Sequence, residues 1–252
     1  MLNNCLFLIK IKPMKFKLPR QILNQAVSSV ISKEVRRQRI GVLRANKNHL
    51  KQIAEVSQAI VKHGLPKYFI CKKLPGKLGY GIFLHPKAQP ILKGQIIAPY
   101  AGEVSFVPQN EPEDSLYAFE PLCDVLFTRE EQSFFDGKRR FHPRRFYSMH
   151  VDASKTGNFT RFINHSDKPN IVAEFFKISS NAYGLAPSPI EVVYLAKKTI
   201  RPGEQLLVDY DGDENNSYWN ALEIEPVPIT PRTFQLDSSL RLIGSVERPS
   251  PN

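Results

Sequence analysis

Cysteine is scarce in this 252-residue chain. Only Cys5, Cys71 and Cys123 are present, odd in number and far apart. No Cys-x-x-Cys pair and no Cys/His ligand spacing occurs, so neither a disulfide framework nor a structural zinc site is readable. A reducing compartment, cytoplasmic or nuclear, suits such cysteine usage. Long apolar runs are missing as well. Residues 5–9 are apolar, but Lys10 breaks the run, no basic stretch precedes it and no small-residue cleavage site follows. That argues against a signal peptide and against a membrane span. Acidic residues are nearly missing from the first 66 positions, which hold 13 Lys/Arg against only Glu34 and Glu55. The remainder holds 22 basic and 22 acidic side chains, so the whole net charge of +11 lies in the N-terminal quarter. The expectation is two bodies, a basic N-terminal piece and a neutral remainder. A charge excess of this kind points to an acidic partner such as nucleic acid.

What is present is an ordinary globular composition, with 42% hydrophobic and 23% charged residues. That excludes a mainly disordered, collagen-like or membrane-embedded chain. Residues 19–63 read as two amphipathic helices. Ile22, Leu23, Ala26, Val27, Val30 and Ile31 recur at three- and four-residue steps, as do Leu50, Ile53, Ala54, Val56 and Ile60 less strictly. His63-Gly64-Leu65-Pro66 is a stop signal. From Tyr68 onward short β-like runs are split by Gly and Pro, at 68–71, 81–84, 96–100, 171–176, 191–196 and 205–210. Residues 108–114 read as a loop and 179–189 as a long hairpin insertion. After Glu225 prolines crowd into an extended tail.

Three segments carry chemistry. Gly79-Tyr80-Gly81 forms a turn in which backbone can approach a ligand closely. It lacks the third glycine and following helix of a dinucleotide fingerprint, and a simple β-turn is its alternative. In Arg161-Phe162-Ile163-Asn164-His165-Ser166-Asp167-Lys168-Pro169-Asn170, polar side chains begin where an apolar stretch ends. Buried Asn and His need hydrogen-bond partners, so this is either a structural clasp or a ligand site. In Pro202-Gly203-Glu204-Gln205-Leu206-Leu207-Val208-Asp209-Tyr210, a Pro-Gly turn launches an apolar strand ending in Asp-Tyr.

Taken in order with Tyr100-Ala101-Gly102-Glu103 and Asp152-Ala153, these segments resemble the SET-domain protein lysine methyltransferases over roughly residues 74–212. The resemblance implies an α+β class: a β-rich SET fold of small, β-clip-like sheets with a knot-like C-terminal crossing and a helical N-terminal appendage. The implied organisation is a basic helical region over 1–66, a SET domain over 67–214 with an insert at about 106–150, and a segment over 215–252 closing the pocket. It also implies S-adenosyl-L-methionine as cofactor. Gly79, Tyr80, Gly81, Asn164 and His165 would bind it, Arg161 would support its pocket, and Tyr210 would touch it from the catalytic position. Tyr117 resembles a second tyrosine lining the lysine channel. No metal is implied.

The chemistry suits these residue types. A free lysine has a pKa of about 10.4, so presenting it neutral near pH 7.4 costs roughly 4 kcal/mol. Desolvation in a narrow aromatic channel and the cofactor's positive charge both lower that cost. A tyrosine, with a pKa of about 10, is a poor general base at neutral pH, so the expected role of Tyr210 is orientation of the amine.

Departures from the family pattern matter too. Many members carry Phe or Tyr two residues before the catalytic tyrosine, where this chain has Val208, so the degree of methylation is not readable. Many histone-specific members carry a cysteine-rich zinc segment after the domain, whereas no cysteine follows Cys123. Tyr218-Trp219 is the candidate to close the pocket over the adenine; the alternative is that Trp219 anchors the tail. Asp209, Asp211, Asp213 and Glu214 form either a solvated turn or an acidic rim attracting basic peptides. The basic stretch over 1–66 is either a solvated helix face or a nucleic-acid contact or import signal. The resulting reading is a lysine methyltransferase of histones or histone-like proteins, resembling compact bacterial effectors. A non-chromatin substrate, or an idle SET module binding nucleic acid or a protein partner, stands as the alternative.

Overall fold

The structure is a computed structural model and describes residues 25–75, 79–109, 117–128, 145–154, 157–178 and 188–210. Both expected helices form. α1 spans Gln25–Arg37 and closes on Arg36 and Arg37, whose charges suit the negative helix end. α2 spans Lys47–His63. Asn46 caps it by accepting the His49 N–H at 2.8 Å, and Gly64 ends it at φ 73, donating to the Ile60 carbonyl at 2.7 Å. No helix among the described residues is long and apolar enough to cross a membrane.

Small sheets make up the rest. A four-stranded sheet runs β1–β9–β10–β4, from Leu43–Arg44, Ile171–Ile178, Ser188–Ala196 and Ile96–Pro99. β1 joins β9 in parallel and the other pairs are antiparallel. β2 (Phe69–Lys73) pairs antiparallel with β3 (Tyr80–Leu84). A three-stranded antiparallel sheet runs β5–β7–β6, from Glu103–Pro108, Tyr147–Asp152 and Ala118–Val125. Finally β8 (Asn164–His165) lies parallel to β11 (Leu207–Val208).

The insert expected at about 106–150 is the site of the β5–β7–β6 sheet. Phe106, Leu122, Tyr147, Met149 and Val151 of these strands are all buried in the main core. The charge boundary near residue 66 is likewise not a boundary in the core. Alternate residues of β10 face opposite ways. Val193 and Leu195 pack with Leu50, Ile53 and Ala54 of α2. Val192, Tyr194 and Ala196 belong to the main cluster, with Val30 and Ile31 of α1. Both helices reach the main core, and α2 also packs on the Val193 and Leu195 face of the four-stranded sheet. A basic surface and a shared apolar interior coexist because charge resides at solvent while cohesion comes from burial.

Candidate active site

The polar Asn-His-Ser segment folds into a clamp built almost wholly of internal hydrogen bonds. Asn158 opens the short 3₁₀ helix Phe159–Phe162, accepting from the Thr160 N–H at 2.9 Å and donating to the Pro99 carbonyl at 2.8 Å. Asn170, fully buried, donates from Nδ2 to the Gln205 carbonyl at 2.8 Å and accepts the Leu207 N–H on Oδ1 at 2.8 Å. Its backbone N–H reaches the Leu207 carbonyl at 3.0 Å, and the Ser166 N–H reaches Val208 at 2.9 Å. Asn164 faces the other way and donates to the Tyr80 carbonyl at 2.9 Å. The clamp thus ties three distant segments together: the Gly-Tyr-Gly turn, the Asn-His strand β8 and the final strand β11.

Gly81 lies tight against side-chain ends in this junction, which would have to shift for any Cβ. A Cβ there would lie 2.7 Å from Gln205 Nε2 and 3.3 Å from Asn164 Nδ2. The neighbouring Gly79 stands at φ 68, and the Tyr80 ring packs edge-on against Phe162 at 5.9 Å. Gln205 is buried, and its Nε2 has no hydrogen-bond partner among the described residues; nor has the buried Nε of Arg161. Such orphan donors are costly. A ligand rich in acceptors, with a carboxylate, ribose hydroxyls and a purine, would satisfy them. The residues present therefore fit the cofactor that the motifs imply.

A cleft opens beside the clamp, lined by Tyr100, Tyr117, Phe119, Arg161, Tyr194 and Tyr210 among others. Tyr117 and Tyr210 are partly exposed at its mouth, while Tyr100 and Tyr194 are buried, their rings 5.7 Å apart. The Tyr210 hydroxyl donates to the Ile163 carbonyl at 2.7 Å, and its backbone N–H donates to His165 Nδ1 at 3.1 Å. That bond assigns the imidazole proton to Nε2. Asp209 Oδ1 lies 3.7 Å from Nδ1.

Side chains from several segments brace the opposite wall. Asp152 accepts from the Ser154 N–H and hydroxyl at 2.8 and 2.7 Å. The Ser154 carbonyl takes Arg161 Nη1 at 3.0 Å, and the guanidinium lies 4.5 Å over the Tyr117 ring. The Tyr117 carbonyl in turn accepts the Tyr100 hydroxyl at 2.6 Å and the Ala153 N–H at 3.0 Å. Gly102 permits the approach of this sheet, since a Cβ would meet the Asp152 carbonyl at 2.6 Å. Burial, reinforced by the neighbouring phenols of Tyr100 and Tyr210, pushes the Tyr194 hydroxyl well above the usual phenol range. It is a neutral donor at any working pH.

The expected residues therefore fall into two groups. Gly79, Tyr80, Gly81 and Asn164 gather at the clamp; Tyr117, Arg161 and Tyr210 gather in the cleft; His165 touches Tyr210 and joins the two. Val208 is buried in the core beneath β11. Trp219, together with Tyr218, Asp211, Asp213 and Glu214, lies outside the described residues. Sequence reasoning missed Tyr194 as a cleft residue. Its signal was a lone hydroxyl in an alternating apolar row, Ile190-x-Val192-x-Tyr194. It also missed Gln205, a buried polar side chain two residues ahead of β11.

Small sheets joined through an Asn-His clamp, with a tyrosine-lined cleft beside it, define a SET-type domain. The SET-domain family model matches residues 79–211, more than half of the chain, and the chain belongs to that family. Among curated proteins it is 29% identical over 193 residues to histone-lysine N-methyltransferase SUV39H1 of Xenopus laevis, covering 75% of this chain and 37% of that protein. It is 26% identical over 178 residues to N-lysine methyltransferase KMT5A-A of Danio rerio, covering 69% and 44%. The chain thus spans less than half the length of these relatives. Among solved structures, ATXR5 in complex with histone H3.1 mono-methylated on R26 aligns at 18% identity and TM-score 0.47, covering 69% of this chain and 71% of that one.

Proposed function

We propose that the chain is an S-adenosyl-L-methionine-dependent protein-lysine N-methyltransferase acting on histones or histone-like basic proteins. The observation that carries this reading is the Tyr210 hydroxyl, held by the Ile163 carbonyl at 2.7 Å beside a cleft walled by phenols. When bound at the clamp, the cofactor supplies an electrophilic methyl group.

The chain's own residues do the rest. Tyr210 has committed its proton to Ile163, so its oxygen keeps lone pairs to accept an N–H from the substrate amine. That fixes the direction of the nitrogen lone pair for in-line attack. Phe119 and the buried rings of Tyr100 and Tyr194 exclude water and disfavour an ammonium. The Arg161 cation adds to this, so the amine enters the cleft neutral, having left its proton to solvent. Asp209 stands at the mouth, where an anion attracts Lys/Arg-rich sequences flanking the target. The relatives named as histone-lysine methyltransferases support a basic protein as substrate.

The test is intact-mass and peptide mass spectrometry of core histones, a bacterial histone-like protein and an unrelated acidic protein, each incubated with enzyme and cofactor. Additions of 14 Da are expected on lysines of the basic proteins. Transfer confined to the acidic protein would reject the substrate class, and cofactor binding without any transfer would reject the activity.

A further inference from the structure

The acid-free span from Arg36 to Lys47 links α1 to α2 and carries β1, the edge strand of the four-stranded sheet. Arg36, Arg39, Arg44 and Lys47 along it are all exposed. At the middle, Arg44 of β1 stands in parallel register with Lys177 of β9, which is also exposed. Side chains at matched positions of neighbouring strands project together, and like charges so placed repel. Among the described residues none of these five cations has an acidic partner. The acid preceding the span, Glu34, is 1% exposed and already holds Arg37 at 2.6 Å and Lys33 at 3.6 Å, and the acid following it, Glu55, lies 3.9 Å from Lys51. Arg39 adds a second sign of selection for charge. It stands at φ 53, a left-handed conformation that glycine or asparagine adopts more easily.

We propose that this edge is a docking surface for the phosphate backbone of a nucleic-acid duplex. Five cations without counter-charge destabilise the chain by self-repulsion unless a polyanion offsets it. Three of the five are arginines, whose planar fork pairs with phosphate oxygens bidentately. Cations strung along an edge match a ligand whose charge repeats along its length, about one per 1.7 Å of duplex axis. Insertion into a membrane surface needs a broad apolar face beside the charge, and Leu43, 47% exposed, is the single large apolar side chain exposed in the span. The contact reads charge and not sequence. It rests on the edge alone and stands whether or not the proposed methyl transfer does.

The test uses the full chain and a fluorescently labelled 20-bp duplex, titrated by anisotropy between about 50 and 200 mM KCl, with poly-glutamate as competitor and phosphatidylserine vesicles in parallel. In the variant R36Q/R39Q/R44Q/K47Q the slope of log affinity against log salt should be shallower by about 3.6, and binding at 100 mM at least about 100-fold weaker. The control K62Q/K87Q/K93Q removes three exposed lysines elsewhere and should change affinity less than about threefold. The single variant K177Q, which leaves the span itself intact, should lower the slope by about 0.9 and keeps the proposal testable should the quadruple variant not fold. Equal weakening by the control would reduce the effect to net charge. Undiminished binding by the edge variants, tighter capture by vesicles, or equal competition by poly-glutamate would each overturn the proposal.

Discussion

The clamp and the cleft are built on opposite plans. Around the clamp, buried asparagines answer backbone groups across three segments, and Asn158, Ser166 and Asn170 are almost wholly enclosed. The cleft is assembled from side chains, with Tyr117 and Tyr210 reaching half into solvent from loops at its rim. The clamp is over-determined, because Asn158 and Asn170 each hold two backbone groups. The cleft wall includes a chain of side-chain contacts from Asp152 through Ser154 and Arg161 to the Tyr117 ring. The proposed transfer to a protein lysine would use this division, with a rigid seat for the cofactor and an adjustable wall for the substrate side chain.

Substitutions should separate the two plans. The largest effect is expected at the clamp. Asn170→Ala strands the Gln205 carbonyl and the Leu207 N–H, costing about 3 kcal/mol. Urea unfolding should show it as a lower midpoint, and transfer activity should fall with the fold. Gly81→Ala should come next, forcing Gln205 and Asn164 to yield. Cofactor affinity measured by calorimetry should drop at least about tenfold, with a stability loss of about 1–3 kcal/mol. On the cleft side, Arg161→Lys keeps the charge but loses the fork that joins Ser154 to the Tyr117 ring. KM for the protein substrate should rise about tenfold, with the unfolding midpoint nearly unchanged. An unfolding midpoint as low as that of Asn170→Ala would erase the distinction.

The smallest effect is a slope with pH. Burial raises the Cys71 thiol to about 11 and, helped by Glu55, the Tyr68 phenol to about 12; Tyr68 is 40% exposed, so solvent screens its share and Cys71 carries most of the effect. Both are raised acids, so the stability they carry is fully present below their ordinary values near 9 and 10. It is lost as pH rises through the folded values. Unfolding midpoints should stay flat from pH 7 to 8 and decline between about pH 9 and 12, and Cys71→Ala should flatten the first part of the decline.

The same two plans decide what the sequence could disclose. The clamp was legible because its hydrogen bonds demand particular residue types at fixed spacing, as in Asn164, Asn170 and Gly81. The helices were legible from apolar periodicity and the Gly64 stop. The β5–β7–β6 sheet was not. β6 carries Pro121 and two shifts of register, and its exposed and buried positions do not alternate cleanly. β1 and β8 are two residues long, below any periodicity. Tyr194 hid among apolar neighbours because a phenol on a core face differs from them only in its hydroxyl. The division into a basic piece and a neutral piece describes surfaces, while Val30, Ile31, Val56 and Ile60 hold the helices in the common core.

The central claim is that Tyr210 orients the amine and does not build the site. It is tested most directly by comparing Tyr210→Phe with the parent chain in two assays, calorimetric cofactor binding and single-turnover methyl transfer followed by intact-mass spectrometry. Cofactor affinity should stay within about threefold, while transfer should fall by at least about 100-fold. Transfer at the parent rate would contradict the account.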